Sequence, residues 1–170
     1  MPTCYIMVGL PGTGKSTLVN MMTETIPKAF VYSTDAYIEQ CSLQNGMTYD
    51  QGFSEFIDPA TKHMNEQVAI AIRSKQTVIW DQTNTGVKKR KTIVNRFDSD
   101  WTFKCICILP PQGDSQIEDW HFRLNNRPGK TIPDHIIKNM RTHFAVPTLD
   151  ERFDEVVYYN MYGEEISDVE

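Results

Sequence analysis

No apolar run in the 170-residue chain is longer than a strand, so the sequence offers no transmembrane helix and no membrane partner. The start, Met1-Pro2-Thr3-Cys4-Tyr5, lacks the basic and apolar stretches of a signal peptide. The expected location is therefore the cytoplasm, that of the host if the source is viral. Cysteine is scarce: Cys4, Cys41, Cys105 and Cys107 form no CxxC and no pairing with histidines at metal-ligand spacing, which excludes a zinc module. Cys105 and Cys107 alternate with Ile106 and Ile108 and read as inert core thiols, whereas Cys41 lies in a polar stretch and reads as free. An excess of basic residues is missing too. Seventeen Lys+Arg against 22 Asp+Glu leave a net charge of -5, which excludes a generic polycation that coats nucleic acid. Repeats and low-complexity tracts are absent, and the length suits one domain over residues 1–170. Nothing sets an oligomeric state.

What is present alternates. Residues 4–8, 29–32, 77–80 and 102–109 read as strands, mostly as continuous apolar runs of the kind buried on both faces of a parallel sheet. Between them, residues 15–25 place Leu18, Val19, Met22 and Ile26 at helical spacing. Asp58-Pro59 reads as an N-cap with proline at the first helical position, followed by the stripe Met64, Val68, Ala71 and Ile72. Pro133 opens a further helix, with Ile136, Ile137, Met140 and Phe144 expected to face inward. Residues 42–52, with Asn45-Gly46, read as a surface loop, residues 156–159 as an edge strand, and residues 160–170 as an acidic, frayed tail. The expectation is an α/β three-layer α/β/α sandwich with a mainly parallel sheet.

The first strand leads into Gly9-Leu10-Pro11-Gly12-Thr13-Gly14-Lys15-Ser16, which fits GxxxxGK[ST] between a strand and a helix. Glycines let backbone N–H groups turn inward around phosphate oxygens, and the helix N-terminus adds its positive dipole end. Gly9, Pro11, Gly12, Thr13, Gly14, Lys15, Ser16 and Thr17 are the candidate nucleotide-binding residues, Lys15 for the β- and γ-phosphates and Ser16 for Mg2+. This assigns the chain to the P-loop NTPase/kinase folds with ATP and Mg2+ as expected cofactors. No NKxD guanine motif is present and the chain is too short for a motor core. A compact phosphotransferase remains.

In an open parallel sheet, ligands sit beyond the carboxyl ends of the strands. Asp35, after the second strand, is placed to accept a proton from an attacking hydroxyl, or else simply to cap the next helix. Asp81 ends the third strand, where an aspartate holds Mg2+ or shapes a turn. Thr83 and Asn84 shape that turn and are candidate substrate contacts. The run Lys88-Lys89-Arg90-Lys91, with Arg96, reads chiefly as a solvated helix face, although it can flank an entering phosphate backbone. Arg123 and Arg127 share a helix face beside Pro128-Gly129-Lys130, as in a lid of about residues 120–132 that closes on a triphosphate.

Taken together, GLPGTGKST at 9–17, STDAY at 33–37, WDQTN at 80–84 with Arg90, RLNNR at 123–127, IPDHIIKNM at 132–140 and FAVPTLDERFDEV at 144–156 resemble the kinase domain of 5′-hydroxyl polynucleotide kinases, phage and animal. The resemblance implies that Lys15 and Ser16 hold phosphates and Mg2+, that Asp35 activates the acceptor hydroxyl, and that Arg127, assisted by Arg123, is the lid arginine. It places Pro147-Thr148-Leu149 near the adenine and a nucleic acid 5′-OH end beside Asp35. The chain departs from the phage pattern at three positions. Ile38 stands where an arginine grips the acceptor phosphate, Thr34 where arginine is frequent, and Gln82 where an acid sits. The DxDGT motif of the phosphatase often fused in this family does not occur. The departures and the net charge keep two other readings open. One is a kinase of a nucleoside, nucleotide, small polyol or hydroxymethylated base in DNA. The other is a nucleotide-dependent switch without transfer chemistry.

Overall fold

A computed structural model describes residues 1–169. Its element order is β1 (Thr3–Val8), α1 (Lys15–Thr25), β2 (Phe30–Tyr32), α2 (Thr34–Gln44), α3 (Tyr49–Arg73), β3 (Val78–Trp80), α4 (Val87–Val94), β4 (Thr102–Ile108), α5 (Gly113–Asn125), α6 (Asp134–Thr142), a 3-10 turn (Leu149–Glu151), β5 (Glu155–Tyr159) and β6 (Glu165–Ile166). The strands form one six-stranded sheet in the order β2-β3-β1-β4-β5-β6. All neighbours run parallel except β5 and β6. This is the mainly parallel α/β architecture that the alternating pattern implies.

The apolar runs explain the layering. Ile6, Met7 and Val8 on the central β1 are fully buried, so both faces of the strand need cover. Cys4, Ile6 and Val8 pack toward Val68 and Ala71 of α3 and Ile93 and Val94 of α4. Met7, on the opposite face, packs with Val19 of α1 and Ile79. A third cluster of Leu10, Trp120, Ile137 and Met161 fastens α5 and α6 to the loop after β1.

Three expectations change. Helix α3 starts at Tyr49 and runs through Pro59, so Asp58 is no N-cap. Its start is a capping box: Gln51 N–H donates to Thr48 Oγ1 at 3.2 Å, and Thr48 N–H donates to Gln51 Oε1 at 2.9 Å. Proline inside a helix frees the carbonyl four residues back. Here Glu55, Asp58 and Pro59 are all exposed, so water can satisfy it. The loop expected at 42–52 accordingly shrinks to residues 45–48. Finally, β5 is not an edge. The tail supplies β6, pairing Tyr158 with Ile166, so residues 160–169 are not simply frayed, while position 170 of that tail lies outside the described residues. Among the described residues no helix is long and apolar enough to cross a membrane.

Candidate active site

A cleft of about 1580 Å³ opens beyond the carboxyl ends of the strands. Its floor is the loop after β1. Gly9 N–H donates to Thr83 O at 3.0 Å, tying that loop to the end of β3. Gly12 and Gly14 adopt φ of 76° and 100°, which disfavour a side chain at either, and a Cβ on Gly12 would also lie 2.9 Å from Leu124. The buried Thr13 hydroxyl donates to Leu10 O at 2.7 Å and holds the loop's shape. Lys15 opens α1 and its Nζ lies 3.1 Å from Asp81 Oδ1. Ser16 and Thr17 are exposed at the first turn of α1, and Pro11 and Gly14 also line the cleft.

These residues fit the cofactors expected. The glycine backbone and the start of α1 form a concave row of donors suited to phosphate oxygens. The Ser16 hydroxyl and Asp81 carboxylate are the hard oxygen donors that Mg2+ accepts together with phosphates. Among the described residues no cluster of three or more His, Cys, Asp or Glu is arranged to hold a metal alone.

The far wall comes from α2 and α3. Ser33 is the N-cap of α2, its Oγ accepting from Ala36 N–H at 3.1 Å, so Asp35 is released from capping and lines the cleft. The Tyr49 hydroxyl donates to Asp35 Oδ1 at 2.5 Å. Burial, and then that bond, raise the Tyr49 hydroxyl above its ordinary range, so it stays a protonated donor. Glu39, Asp50 and Phe53 share this wall. Two of the departing positions meet one another: Gln82 Nε2 donates to Thr34 Oγ1 at 3.3 Å and Gln82 Oε1 accepts from Trp80 Nε1 at 3.1 Å. Ile38 is fully buried and presents nothing to the cleft.

The roof is the end of α5 and the loop after it. Arg123 Nη1 donates to Met161 O at 2.8 Å, and its guanidinium lies 5.7 Å from the Tyr162 ring centre. Arg127 lines the cleft, and its Nη1 is buried with no partner among the described residues. Lys130 pairs with Glu39 and sits 4.5 Å from the Tyr49 ring centre. Burial lowers the Lys130 ammonium; Asp35 opposes that shift and Lys15 adds to it. Trp120 is fully buried and donates to Pro11 O at 2.7 Å, so residues 120–125 of the lid expected at 120–132 are part of the packed helix α5, and only residues 126–132 form a loop across the cleft.

Some expected contacts are not there. Asn84 is buried with φ 48°, and its Nδ2 donates to Met7 O at 2.8 Å. Arg90 is buried, forks onto Glu151 at 2.7 and 3.0 Å, and donates to Asn84 O at 2.9 Å. Neither lines the cleft; Asn84 shapes the turn after β3, as expected, and lines a smaller hollow beside it with Thr83 and Lys89. Thr83 does line the cleft. Pro147-Thr148-Leu149 does not line the cleft: Thr148 N–H donates to Glu151 Oε2 at 3.0 Å, while Tyr159, Asn160, Met161, Tyr162 and Gly163 line it on the side of Arg123. Ile136, expected inward, is exposed on the cleft. Tyr49, Asp50, Glu39 and Lys130 escaped the sequence reading. The capping-box pattern Thr48-x-x-Gln51 was the available signal for the first two.

A family model described as an AAA domain matches residues 5–147. The chain belongs to this AAA domain family. A curated relative of this AAA domain protein, heterogeneous nuclear ribonucleoprotein U-like protein 2 of Mus musculus, is 26% identical over 171 residues, covering 94% of this chain and 22% of the relative. The human protein gives the same figures. The chain thus spans about a fifth of the length of the curated relatives it matches. Among solved structures, a putative kinase from Chloroflexus aurantiacus aligns with TM-score 0.63 and 18% identity, over 94% of this chain and 88% of that one. A fungal RNA kinase aligns with TM-score 0.54 and 16% identity, over 93% of this chain and 75% of that one. This AAA domain has the P-loop kinase fold.

Proposed function

We propose that the protein is an ATP-dependent kinase that moves the γ-phosphoryl group to a hydroxyl, the 5′-OH end of DNA or RNA in the first place. The observation that carries the reading is that one cleft holds the phosphate loop with Lys15 on its floor and the Asp35 carboxylate on its far wall. A switch that only binds and releases nucleotide has no use for that carboxylate. The fungal RNA kinase of like fold supports a nucleic acid acceptor.

In this mechanism the loop backbone, Ser16 and Thr17 hold the phosphates, and Lys15 exchanges its bond to Asp81 for the β- and γ-phosphates. Ser16 and Asp81 hold Mg2+, which when bound neutralises phosphate charge. Arg127, its Nη1 buried and unpartnered among the described residues, meets the transferring group, and Arg123 holds the nucleotide side. The acceptor oxygen bonds to the γ-phosphorus as the bond to the β-bridging oxygen breaks, and the hydroxyl proton passes to Asp35. Thr83 lies within reach of either substrate.

One observation favours a smaller, less charged acceptor. Asp35, Glu39 and Asp50 line the acceptor wall, and of the two cations near it, Lys130 and Arg127, Lys130 is already paired with Glu39. Such a wall repels a phosphate-rich strand.

γ-Labelled ATP offered with 5′-OH single-stranded DNA, 5′-OH RNA, nicked duplex, 3′-mononucleotides and free nucleosides separates the two. Label on oligonucleotides supports the first reading, and label only on small acceptors supports the second. Asp35→Asn is expected to lower turnover about 10²–10⁴-fold with nucleotide binding retained. Unchanged turnover in that variant would sink both.

A further inference from the structure

The lid reaches across the cleft and is fastened on Asp50 through two of its residues, Gly129 and Thr131. Asp50 N–H donates to Gly129 O at 3.0 Å, and Asp50 Oδ2 accepts from both the N–H and the hydroxyl of Thr131, at 2.8 and 2.7 Å. Gly129 has φ 68°, and a Cβ there would come within 2.8 Å of Thr48, so only glycine lets the lid lie this close to the start of α3. Between the two anchors, Lys130 reaches Glu39 and covers the Tyr49 ring. Tyr49 is the residue next to Asp50, and it is the one that holds Asp35 Oδ1. Two consecutive residues in the first turn of a 25-residue helix therefore grip the lid with one side chain and the carboxylate with the other. The Thr48–Gln51 capping box fixes that turn, so the pair moves as one.

We propose that Tyr49 is a positioning residue for Asp35, and that docking of the lid on Asp50 sets it, so that closure over the triphosphate and alignment of the base are one event. The proposal rests on the reading of Asp35 as the base. Its chemical sense is that a base aligned in an open cleft would hand the γ-phosphoryl group to water, whereas a base aligned by the closing lid acts when water is shut out. Lys130, arriving with the lid, brings a cation onto the Tyr49 ring.

The test uses Tyr49→Phe, which keeps the ring and removes the hydroxyl, and Thr131→Val, which removes one of the two bonds to Asp50. Turnover is measured on the acceptor that takes label in the panel above, or on water if none does. Tyr49→Phe is expected to lower kcat about ten- to a hundredfold with KM for ATP within about twofold of the parent, since Tyr49 orients the carboxylate and not the nucleotide. Thr131→Val also lowers kcat, and the double variant loses at least about threefold less than the product of the single losses. With a non-hydrolysable ATP analogue and Mg2+ bound, trypsin cuts the Lys130–Thr131 bond faster in Thr131→Val than in the parent, while Arg127-Pro128 resists in both. If Tyr49→Phe keeps kcat within twofold while Asp35→Asn abolishes turnover, the positioning role is wrong and the base stands. Losses that simply multiply overturn the link between lid and base. Turnover that survives Asp35→Asn removes the underlying reading itself.

Discussion

An arginine seven positions after a strand-end threonine has the makings of an anion clamp, and Arg90 has the right chemistry for one. The fold spends it elsewhere. Its side chain is fully buried, that of Glu151 is 12% exposed, and the fork between them ties α4 to the 3-10 turn before β5. Removing one partner of such a pair strands the other charge, at a cost of about 3–5 kcal/mol. Arg90→Ala is therefore expected to lower the melting temperature by roughly 6–20 °C, at about 2–4 °C per kcal/mol for a domain of this size. KM for both substrates should be unchanged in the folded fraction. Arg90→Met with Glu151→Leu should recover most of the loss, because an apolar pair of similar volume is often as stable as the ion pair. Calorimetry of the three proteins checks this, and a large rise in acceptor KM with stability intact would restore Arg90 to the binding surface. Asp35 is the opposite case. The neighbouring Ser33 takes over the cap, and this leaves the carboxylate free for the cleft.

The helical hairpin of α2 and α3 depends on close approach. Gly52 is buried in α3 with Ser42 of α2 against it; a Cβ at 52 would overlap Ser42 Oγ and come within 3.1 Å of Phe56. Alanine gains about 1 kcal/mol of helix propensity, but overpacking costs about 1–3 kcal/mol, so Gly52→Ala is expected to destabilise on balance. Ser42 Oγ is buried without a partner among the described residues, so Ser42→Ala should be neutral or stabilising by itself. In the double variant the Oγ overlap is gone but the contacts with the Cβ at position 42 and with Phe56 remain, so the loss should shrink without turning into a gain, and urea midpoints of the four proteins decide it. The same hairpin shows what the sequence made legible. The strands could be read because a parallel sheet wants apolar runs, and the phosphate loop because its motif sits between strand and helix. Lys15, Asp35, Asp81 and Thr83 were traceable to the cleft because strand ends point there. The start of α3 was not readable. Asn45-Gly46 and Asp58-Pro59 are strong local signals, and they outweighed a capping box whose helix survives an internal proline on its exposed side. Tyr49 and Asp50 were hidden inside that supposed loop. Asn84 shapes its turn as expected, but the burial of Arg90 is not readable: after a turn, sequence does not say which side of the sheet a polar group enters.

At the scale of the whole molecule, three of the four thiols sit in the central sheet. Cys4 lies on β1, and Cys105 and Cys107 lie on the adjoining β4, all buried, while Cys41 is partly exposed on α2. Burial pushes Cys107 up to about 12 and raises Cys4 and Cys105 further still. Below the ordinary thiol value of 9.0 both folded and unfolded chains keep these protons, and the thiols leave stability independent of pH. Above it the unfolded chain ionises and the folded chain does not, so stability falls as pH rises, by about 1.4 kcal/mol per pH unit for each thiol. Tyr32 and Tyr158, raised by burial, act in the same direction. Lys89 and Lys130, lowered by burial, act in the opposite one. Exposed Lys89 and half-buried Lys130 against three buried thiols and the tyrosines Tyr32, Tyr49 and Tyr158 leave a net alkaline loss. Urea midpoints are thus expected to fall from about pH 9 upward, and Cys107→Ala should flatten the decline. A thiol-specific dye at pH 8 should meet one fast cysteine, Cys41, and three slow ones sharing a single rate, because β1 and β4 expose their thiols only when the sheet itself unfolds. Two distinct slow rates would mean that β4 opens separately from β1, and the central sheet would then not be one cooperative unit.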